Sequence, residues 1–446
     1  MRTILLRNVK IPVDNELVEG SILIENNIIK AISKKNYEAD EVVDGNGLIA
    51  VPGGIDVHAH VYDPENPEHE DWRTGSLAAA YGGITTLIDM PLRVFVDKTE
   101  VAMEKIRVAA RDSYVNYGLT GGFLTEQNYD AIEKLVKIGV KTFKIFTCRP
   151  FQASEKGLAK IFEKVAEKNV VVIAHAEDEG ILTLLEGKYR EANDIEAYHL
   201  SRSPGAEAAA VLKLGYYSLE TGARLHIAHL SSKEGVDAVT FMKNKNPKIT
   251  AETCPHYLYF TREDSRVHGT FLKMAPTLKT SIDREALWDA LEKGIVEVYA
   301  SDNAPSPRSL KEKDVWSAWG GIPNLEIMGP FLFTHGVLKG KISLQTYINV
   351  FSRNPARLLG LYPFLGEISV GSLADIVVLN TREQRLISSK THHHKVDWTP
   401  WEGLSFYGHP YHVMVHGELI IEKGELVGKP GTGMYVGDLE RVGVDA

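Results

Sequence analysis

The sequence predicts an α/β protein: a barrel of eight parallel β-strands alternating with helices, (β/α)₈, beside a small β-domain built from both ends of the chain. Two observations indicate this fold class. Short apolar segments alternate with helix-like or polar stretches through the middle of the chain, whereas both ends contain only strand-like segments. The length of 446 residues leaves room for one such barrel and a satellite domain.

The two ends of the chain are typical of short strands joined by turns. The N-terminal segments are ILLRNVKI and SILIENNIIKAI, and Asn26-Asn27 within the second indicates a turn. From Gly366 the strand pattern returns, in GEISVGSLADIVVLN and YHVMVHGELIIEKGELV. We therefore predict that residues 1–51 and 362–446 form one composite β-sandwich domain, and that residues 52–361 form the barrel.

Eight apolar segments between these ends have the length of buried parallel strands. In chain order they are GGIDVHA, GITTLIDM, NYGLTGGF, VKTFKIF, VVVIAHA, RLHIAHL, KITAETC and VEVYASD. Helix-like periodicity follows several of them, at residues 70–81, 128–138 and 158–167. A succession of eight such units is typical of a closed barrel of the TIM type.

Composition and charge exclude several classes of protein. The net charge is −9 and no run of lysine or arginine is interleaved with aromatic residues, so nucleic acid is not an expected partner. No stretch approaches about eighteen consecutive apolar residues, so no membrane span is expected. Arg7 and Lys10 interrupt the N-terminal apolar stretch, which argues against a signal peptide. Cys148 and Cys254 suggest no disulfide framework, and a cytoplasmic protein is expected.

The segment that organises the barrel is residues 51–60, VPGGIDVHAH, in which two histidines end an apolar strand. Residues i and i+2 of a strand point to the same side, so His58 and His60 can direct two imidazoles at one point. Imidazole is the commonest metal ligand among protein side chains. The alternative is a pair of polar residues on the wet face of an edge strand, but the preceding apolar run predicts burial on both faces.

Further polar residues fall at the ends of other predicted strands, where a barrel of this type places its active site. They are Lys144 in the fourth segment, His175 in the fifth, His229 in the sixth and Asp302 in the eighth. Each alone has a structural alternative, a lysine whose ammonium reaches solvent or a hydrogen-bonded core histidine. Because five strands carry such residues at one end, we predict a site for one or two divalent transition metals.

Lys144 has a particular role available in such a site. An ammonium group beside two cations is repelled, so its pKa falls. A neutral lysine amine can react with carbon dioxide to form a carbamate, an anionic ligand able to bridge two metals. The run His392-His393-His394 is a second candidate metal tract, although its lysine and serine neighbours favour a polar loop.

A set of motifs occurs in a fixed order along nearly the whole chain. They are PGGIDVHAH, AAAYGGITTLIDMP, GVKTFKIF, IAHAED, LHIAHLSS, ETCPHY, ASDNAP, NPARLLGL and GSLADIVVL. This set resembles the cyclic amidohydrolases of the amidohydrolase superfamily: allantoinase, hydantoinase or dihydropyrimidinase, and dihydroorotase. The resemblance implies a metal-dependent hydrolase that opens a small cyclic amide and is a homo-oligomer, a dimer or tetramer. A non-catalytic structural relative is the remote alternative.

The resemblance also implies a role for each candidate ligand. The two metals, expected to be zinc, would be held by His58, His60 and Asp302, by His175 and His229, and by carboxylated Lys144 between them. Asp302 would also be the catalytic residue, taking a proton from the attacking hydroxide and passing it to the leaving nitrogen. His226 competes with His229 for one ligand position, and the family pattern favours His229. His256 is the next candidate for the base, and is otherwise a core histidine.

The expected substrate follows from differences within the group. Dihydroorotases use an arginine and an asparagine to grip the substrate carboxylate, whereas this chain has Val61-Tyr62 and Leu92-Arg93 in those places. The segments AWGGIPNLE, ETCPHYLYF and HKVDWTPWEG are closer to allantoinases. We therefore predict an allantoinase-like activity, allantoin to allantoate, with dihydroorotase and hydantoinase or dihydropyrimidinase as alternatives.

Four residues are predicted to contact the substrate. Glycines at Gly320 and Gly321 would let main-chain amides approach the ring. Arg93 and Arg149 could together rebuild a site for an anion. Arg149 lies about where hydantoinases have a tyrosine, and Asn303 stands where the family usually has a histidine.

Overall fold

The computed structural model describes residues 2–13, 16–35 and 37–439. The chain begins with four strands that pair in one sheet. These are β1 (Thr3–Val13), β2 (Glu16–Glu25), β3 (Ile28–Ser33) and β4 (Glu41–Pro52). The predicted turn joins β2 to β3, with φ angles of 48° and 73° at Asn26 and Asn27, a left-handed conformation that asparagine tolerates.

Eight parallel strands follow and form the barrel. They are β5 (Gly54–Ala59), β6 (Ile84–Asp89), β7 (Asn116–Gly121), β8 (Thr142–Phe146), β9 (Val171–His175), β10 (Arg224–Ile227), β11 (Ile249–Thr253) and β12 (Val298–Tyr299). Neighbours pair in chain order from β5 to β12. Just beyond β12 the main chain of Asn303 pairs with Ala59, and its carbonyl accepts from the His60 N–H at 2.8 Å. This seam closes the ring, and the predicted (β/α)₈ barrel is confirmed.

Helices follow the barrel strands. They are α1 (Trp72–Tyr81), α2 (Thr99–Asp112), α3 (Ala131–Val136), α4 (Glu155–Lys168), α5 (Glu179–Tyr189), α6 (Ile195–Leu200), α7 (Pro204–Thr221), α8 (Lys233–Lys243), α9 (Pro255–Tyr259), α10 (Ser265–His268), α11 (Ser281–Glu292), α12 (Arg308–Lys311), α13 (Met328–Phe331), α14 (Leu344–Ile348) and α15 (Asn354–Leu359). Short 3₁₀ segments span Gly269–Leu272, Leu325–Ile327 and Val436–Asp438, and π-helical turns span Leu332–Val337 and Asn349–Arg353.

Capping residues determine where the helices begin and end. The Asp71 side chain accepts from the Thr74 N–H at 2.8 Å, so α1 begins at the next residue after this cap. Ser154 caps α4 in the same way through Gly157, and Asn169 ends α4 with a φ of 51°. The three helices predicted from periodicity are present as α1, α3 and α4, with ends displaced by these caps and turns.

The C-terminal strands return to the sheet that begins the chain. They are β13 (Ile376–Asn380), β14 (Arg385–Leu386), β15 (Ser405–Phe406), β16 (His409–Val415), β17 (Glu418–Glu422) and β18 (Glu425–Leu426). The sheet has the order β18-β17-β16-β13-β4-β1-β2-β3, whereas β14 and β15 pair separately. Strands from both termini therefore share one sheet, as predicted. The divisions at 51/52 and 361/362 stay predictions, and residues 1, 14–15, 36 and 440–446 of those ranges lie outside the described residues.

The two faces of this sheet belong to different cores. Ile376 and Val378 pack with Ile22 and its neighbours in a core of the sheet's own. Val377 and Leu379 point the other way, as the strand period of two requires, and join the large core of the barrel and its helices. The sheet is thereby packed against the barrel. None of the helices in the described ranges is both long and apolar enough to cross a membrane.

Candidate active site

The ends of β5 and β12 bring three predicted ligands together. His58 and His60 are buried, and their Nε2 atoms lie 3.4 and 3.5 Å from the same atom, Oδ1 of Asp302. Asp302 has a φ of 44°, a left-handed conformation that costs free energy in a non-glycine residue. The packing around this turn therefore holds a strained backbone at a candidate functional residue.

Hydrogen bonds on the far side of each ring orient these two histidines. His60 Nδ1 donates to the Met90 carbonyl at 2.8 Å, which leaves the lone pair on Nε2. His58 Nδ1 is hydrogen-bonded to Glu252. Both Nε2 atoms are thus directed at the Asp302 carboxylate. Such partners on the outer nitrogen are usual for histidines that bind metals.

Glu252, in β11, is a site residue that the sequence analysis missed. Besides contacting His58, its carboxylate accepts from Nε2 of His226 at 3.0 Å and from the main-chain N–H of His229 at 3.2 Å. Burial opposes ionisation, but His58 and His226 outweigh burial and hold the pKa of Glu252 well below its usual range. His226 is therefore engaged by Glu252, whereas His229 lines the cavity. The available signal was a glutamate inside the apolar segment KITAETC.

Lys144, His175 and His229 form a second group beside the first. His175 Nδ1 lies 3.1 Å from His229 Nε2, and the rings of His58 and His229 are 5.3 Å apart. The other nitrogen of His175, Nε2, is hydrogen-bonded to Glu177 at 2.6 Å. His229 has a φ of 38°, and its buried Nδ1 has no hydrogen-bond partner within the described residues. The structure thus brings all six predicted ligands to one cavity.

Lys144 is enclosed at the floor of this cavity. Only 1% of its surface is exposed, and its ammonium lies 5.2 Å from the centre of the Phe146 ring. Burial lowers the pKa of Lys144 to about 8. An appreciable fraction of the amine is therefore uncharged near neutral pH, which is the chemical requirement for a carbamate.

The donor set suits divalent metal ions. One ligand atom each from His58, His60 and Asp302 lie within 4.8 Å of one another. Imidazole nitrogen and carboxylate oxygen are ligands that zinc accepts readily. Burial opposes ionisation of Asp302, but hydrogen bonding to His60 and the charge of His58 outweigh it and lower the pKa of Asp302 to about 2. Asp302 is therefore a carboxylate at neutral pH.

A second unpredicted carboxyl, Asp56, joins β5 to the turn that carries Asp302. Its Oδ1 accepts from the main-chain N–H groups of His58 and Ser301, each at 3.1 Å. Burial raises the pKa of Asp56 to about 7. Asp56 lies below the ligands and holds their two strand ends in register.

Asn324 determines the tautomer of His256. Its Oδ1 accepts from the indole N–H of Trp401 at 3.0 Å, so its Nδ2 faces the Ser301 carbonyl at 2.8 Å and His256 Nδ1 at 3.1 Å. Nδ2 donates to both, so the proton of His256 resides on Nε2, which is buried and has no partner in the described ranges. Burial lowers the pKa of His256 to about 4. This geometry favours a neutral hydrogen-bond donor over the alternative base.

A cavity of about 210 Å³ opens above these groups. Much of its wall is apolar, formed by Leu92, Phe146, Phe151, Met274, Ala275 and Ala304. Concave sites with apolar walls and a few convergent polar groups are typical of small-molecule sites. The cavity stands at the C-terminal ends of the barrel strands, where enzymes of this fold bind their substrates.

Three of the four predicted substrate contacts line the cavity: Arg149, Gly320 and Gly321. Arg93 is not part of its wall. Its guanidinium lies 3.0 Å from His69 Nε2 and stacks over the Trp319 ring at 5.4 Å. In this arrangement Arg93 supports neighbouring side chains instead of facing the cavity.

Gly321 is required for a reason that differs from the predicted one. Its φ is 146°, and a Cβ there would lie 2.3 Å from the carbonyl oxygen of Ala304. Its N–H donates to the Lys273 carbonyl and its own carbonyl accepts from Lys311, both at 2.9 Å. The glycine therefore permits a close approach of two main chains. Gly320 stays the candidate for an amide that meets substrate.

The histidine run lies in the long connection between β14 and β15. His394 Nδ1 is 2.8 Å from Glu70, and His393 Nδ1 is 3.1 Å from Glu326. Within the part of the chain that the structure describes, this run does not belong to any group of three close metal-ligating atoms. The polar-loop interpretation therefore fits better than a metal tract.

The chain is similar to a known family and to several named enzymes over nearly its whole length. The sequence model of the Amidohydrolase family matches residues 49–420. An L-hydantoinase of Paenarthrobacter aurescens is 30% identical over 98% of both chains. A dihydroorotase of Methanosarcina acetivorans is 32% identical over 98% of this chain and 96% of its own. An allantoinase of Escherichia coli O139:H28 is 28% identical over 96% of this chain and 97% of its own. The prediction that the chain is closest to allantoinases is therefore not confirmed.

Solved structures show the same similarity. The L-hydantoinase (dihydropyrimidinase) from Arthrobacter aurescens matches with a TM-score of 0.93 and 29% identity, over 98% of this chain and 99% of that one. The dihydropyrimidinase from Brevibacillus agri matches with a TM-score of 0.90 and 28% identity, over 98% of both. The barrel and the second sheet are therefore shared across full-length chains.

Proposed function

The chain belongs to the amidohydrolase family and is a hydrolase of cyclic amides, and we propose that it opens the ring of an uncharged cyclic ureide such as a hydantoin or allantoin. The observation that carries this choice is the charge of the cavity wall. Of the described arginines, two line the cavity, Arg149 and Arg202, and each is paired with a glutamate. Lys144 also lines the cavity, and as a carbamate it would be an anion instead of a cation. A wall of this charge suits a substrate without a carboxylate.

The six ligands named from the sequence would hold two divalent metals, zinc being our proposal. His58, His60 and Asp302 would bind one ion and His175 with His229 the other, with carboxylated Lys144 between them. Bound metals of this kind supply Lewis-acid activation of an amide carbonyl and of water. The remaining chemistry falls to side chains of the protein.

Asp302 is the proposed proton carrier. It is ionised at neutral pH, lies among the predicted ligands and lines the cavity. As water adds to the ring carbonyl, Asp302 would accept its proton and deliver it to the ring nitrogen as the C–N bond breaks. One water is consumed, and the open chain carries a carboxylate and a neutral ureido nitrogen, with one proton released as the new carboxylic acid ionises.

Two arrangements of the wall favour different members of the ureide class. The side chains of Leu92, Phe151 and Met274 suit a hydantoin with an apolar substituent. At Gly320 no side chain covers the main chain, whose polar groups suit the ureido group of allantoin. Dihydroorotate carries a carboxylate, for which neither the two paired arginines nor a carboxylated Lys144 offers a free cation.

A parallel assay tests the proposal. Purified protein loaded with zinc, cobalt or manganese is given allantoin, hydantoin, 5-phenylhydantoin, dihydrouracil and dihydroorotate. We expect kcat/KM to be highest for an uncharged ureide. Fastest turnover of dihydroorotate would overturn the substrate class, and no turnover of any ring by fully metallated protein would favour a non-catalytic relative. Sedimentation of the same sample tests the proposed dimer or tetramer.

A further inference from the structure

The segment after β9 supplies two glutamates, Glu177 in the loop and Glu179 at the start of α5, that neutralise the two arginines of the cavity wall. Glu177 accepts from Arg202 Nε at 3.1 Å. Glu179, two residues later, pairs with Arg149 Nε, and its other oxygen accepts from the Arg149 main-chain N–H at 2.8 Å. The cavity wall thus contains two Arg–Glu pairs whose glutamates are two residues apart in the chain.

The two pairs differ in how firmly they are held. The side chains of Arg202 and Glu177 are 13% and 1% exposed, and Glu177 is also bonded to His175. The side chains of Arg149 and Glu179 are 63% and 19% exposed. Exposed ion pairs contribute little to stability because solvent competes for both groups. Substitution of one partner is therefore expected to free the other in the Arg149–Glu179 pair more easily than in the Arg202–Glu177 pair.

We propose that Glu179 is a specificity-determining residue, which excludes anionic rings by holding the Arg149 guanidinium away from the cavity. This inference rests on the proposed hydrolysis of uncharged ureides. Arg149 follows Lys144 by five positions and lines the cavity, so a side chain released from Glu179 would lie beside the site. A free guanidinium binds a carboxylate through two parallel hydrogen bonds.

The contacts on Arg149 explain why Glu179 is needed. The second guanidinium contact is to Thr183 Oγ1 at 3.0 Å, and this hydroxyl itself donates to Glu179 at 3.0 Å. Thr183 is neutral and is positioned by the same carboxylate. Removal of the Glu179 charge therefore weakens both contacts, whereas removal of the Thr183 hydroxyl leaves the ion pair.

The test is the ratio of kcat/KM for dihydroorotate to kcat/KM for hydantoin in one preparation. Glu179→Gln and Glu179→Ala should raise this ratio at least about tenfold, because a charge-assisted hydrogen bond to the substrate is gained. The double variant Glu179→Gln with Arg149→Gln should lose the gain. Thr183→Val is the matched control and should change the ratio less than Glu179→Gln does.

An unchanged ratio in both Glu179 variants, or a gain that persists without Arg149, overturns the inference. Glu179→Gln retains an acceptor for the Arg149 N–H, so misfolding is not expected, and thermal unfolding checks this. The proposed function would fail by a different result: the wild-type enzyme would prefer dihydroorotate or would not hydrolyse ureides. The effect of Glu179 is read from the change in ratio between variants.

Discussion

The floor of the cavity, around Lys144 and His58, and its mouth, around Arg149 and Glu179, are stabilised in different ways. At the floor, His58 is oriented by Glu252, and their side chains are 1% and 0% exposed. At the mouth, Arg149 is held by Glu179 although most of its side chain is in solvent. Leaving a buried polar group without its hydrogen-bond partner costs roughly 1–3 kcal/mol, and more if the group is charged, whereas an exposed ion pair contributes about 1 kcal/mol or less. The floor is therefore rigid and the mouth is adjustable.

This difference explains why overall similarity does not identify the substrate. Relatives named hydantoinase, dihydroorotase and allantoinase are 30%, 32% and 28% identical to this chain over nearly its full length. All three names refer to enzymes of ring amides, so overall identity does not separate the three substrates. We expect floor substitutions to reduce turnover and mouth substitutions to change selectivity.

The largest effect at the floor is expected from Lys144→Ala. Loss of the bridging ligand should lower the metal content from two ions per chain to one or none and reduce ureide hydrolysis to background. Acetate or propionate should restore part of the activity, because a small carboxylate can occupy the vacated space. Mass spectrometric metal analysis and initial rates measure both. Full activity with two retained metals would contradict a bridging lysine, and the exposed Lys137→Ala is the control.

Asp302→Asn should come next, with a loss of about 10²–10⁴-fold in kcat, the usual contribution of a positioned acid–base group. The amide retains the shape of the carboxylate but neither its charge nor its proton affinity. Rates are measured at saturating metal so that weaker metal binding is not mistaken for lost proton transfer. Near-normal turnover would place the base elsewhere.

Glu252→Gln tests whether the unpredicted carboxylate is part of the floor. We expect metal affinity to weaken about 10–100-fold, as is usual when the group that orients a ligating histidine is changed. Competition with a chromophoric chelator measures the affinity. Glu179→Gln, at the mouth, should change this affinity much less. Equal effects at both positions would remove the distinction between floor and mouth.

The smallest effect concerns pH. The pKa of Lys144 is lowered to about 8, so its uncharged fraction rises about fivefold from pH 7 to pH 8. Metal-free protein given bicarbonate and zinc should therefore regain activity faster at pH 8 than at pH 7, because only the neutral amine forms a carbamate. The rate of reactivation is the readout. A rate that is independent of bicarbonate at both values would argue against carboxylation.

Local sequence patterns predicted the barrel and six residues that line one cavity, but not the side chains that hold those residues in place. His58 and His60 follow from a period of two and from the place of strand ends in a barrel. Glu252 could not be assigned, because its contact with His58 joins residues 194 positions apart. The same holds for the pairing of Arg149, which depends on how the loop after β8 meets the start of α5. Sequence patterns identify the ends of strands, whereas the partner of a side chain is decided by tertiary packing.

The seam that closes the barrel coincides with the active site. Ser301 Oγ donates to the His58 carbonyl at 3.1 Å, and these residues are 243 positions apart. Together with the bond from His60 to Asn303, this contact joins the first barrel strand to the last. An ion bound by His58, His60 and Asp302 would link the same two ends of the barrel sheet. Metal binding would then also stabilise the closed barrel. Removal of the metal by a chelator should increase amide hydrogen exchange in β5 and β12 before it does so in the distant strands.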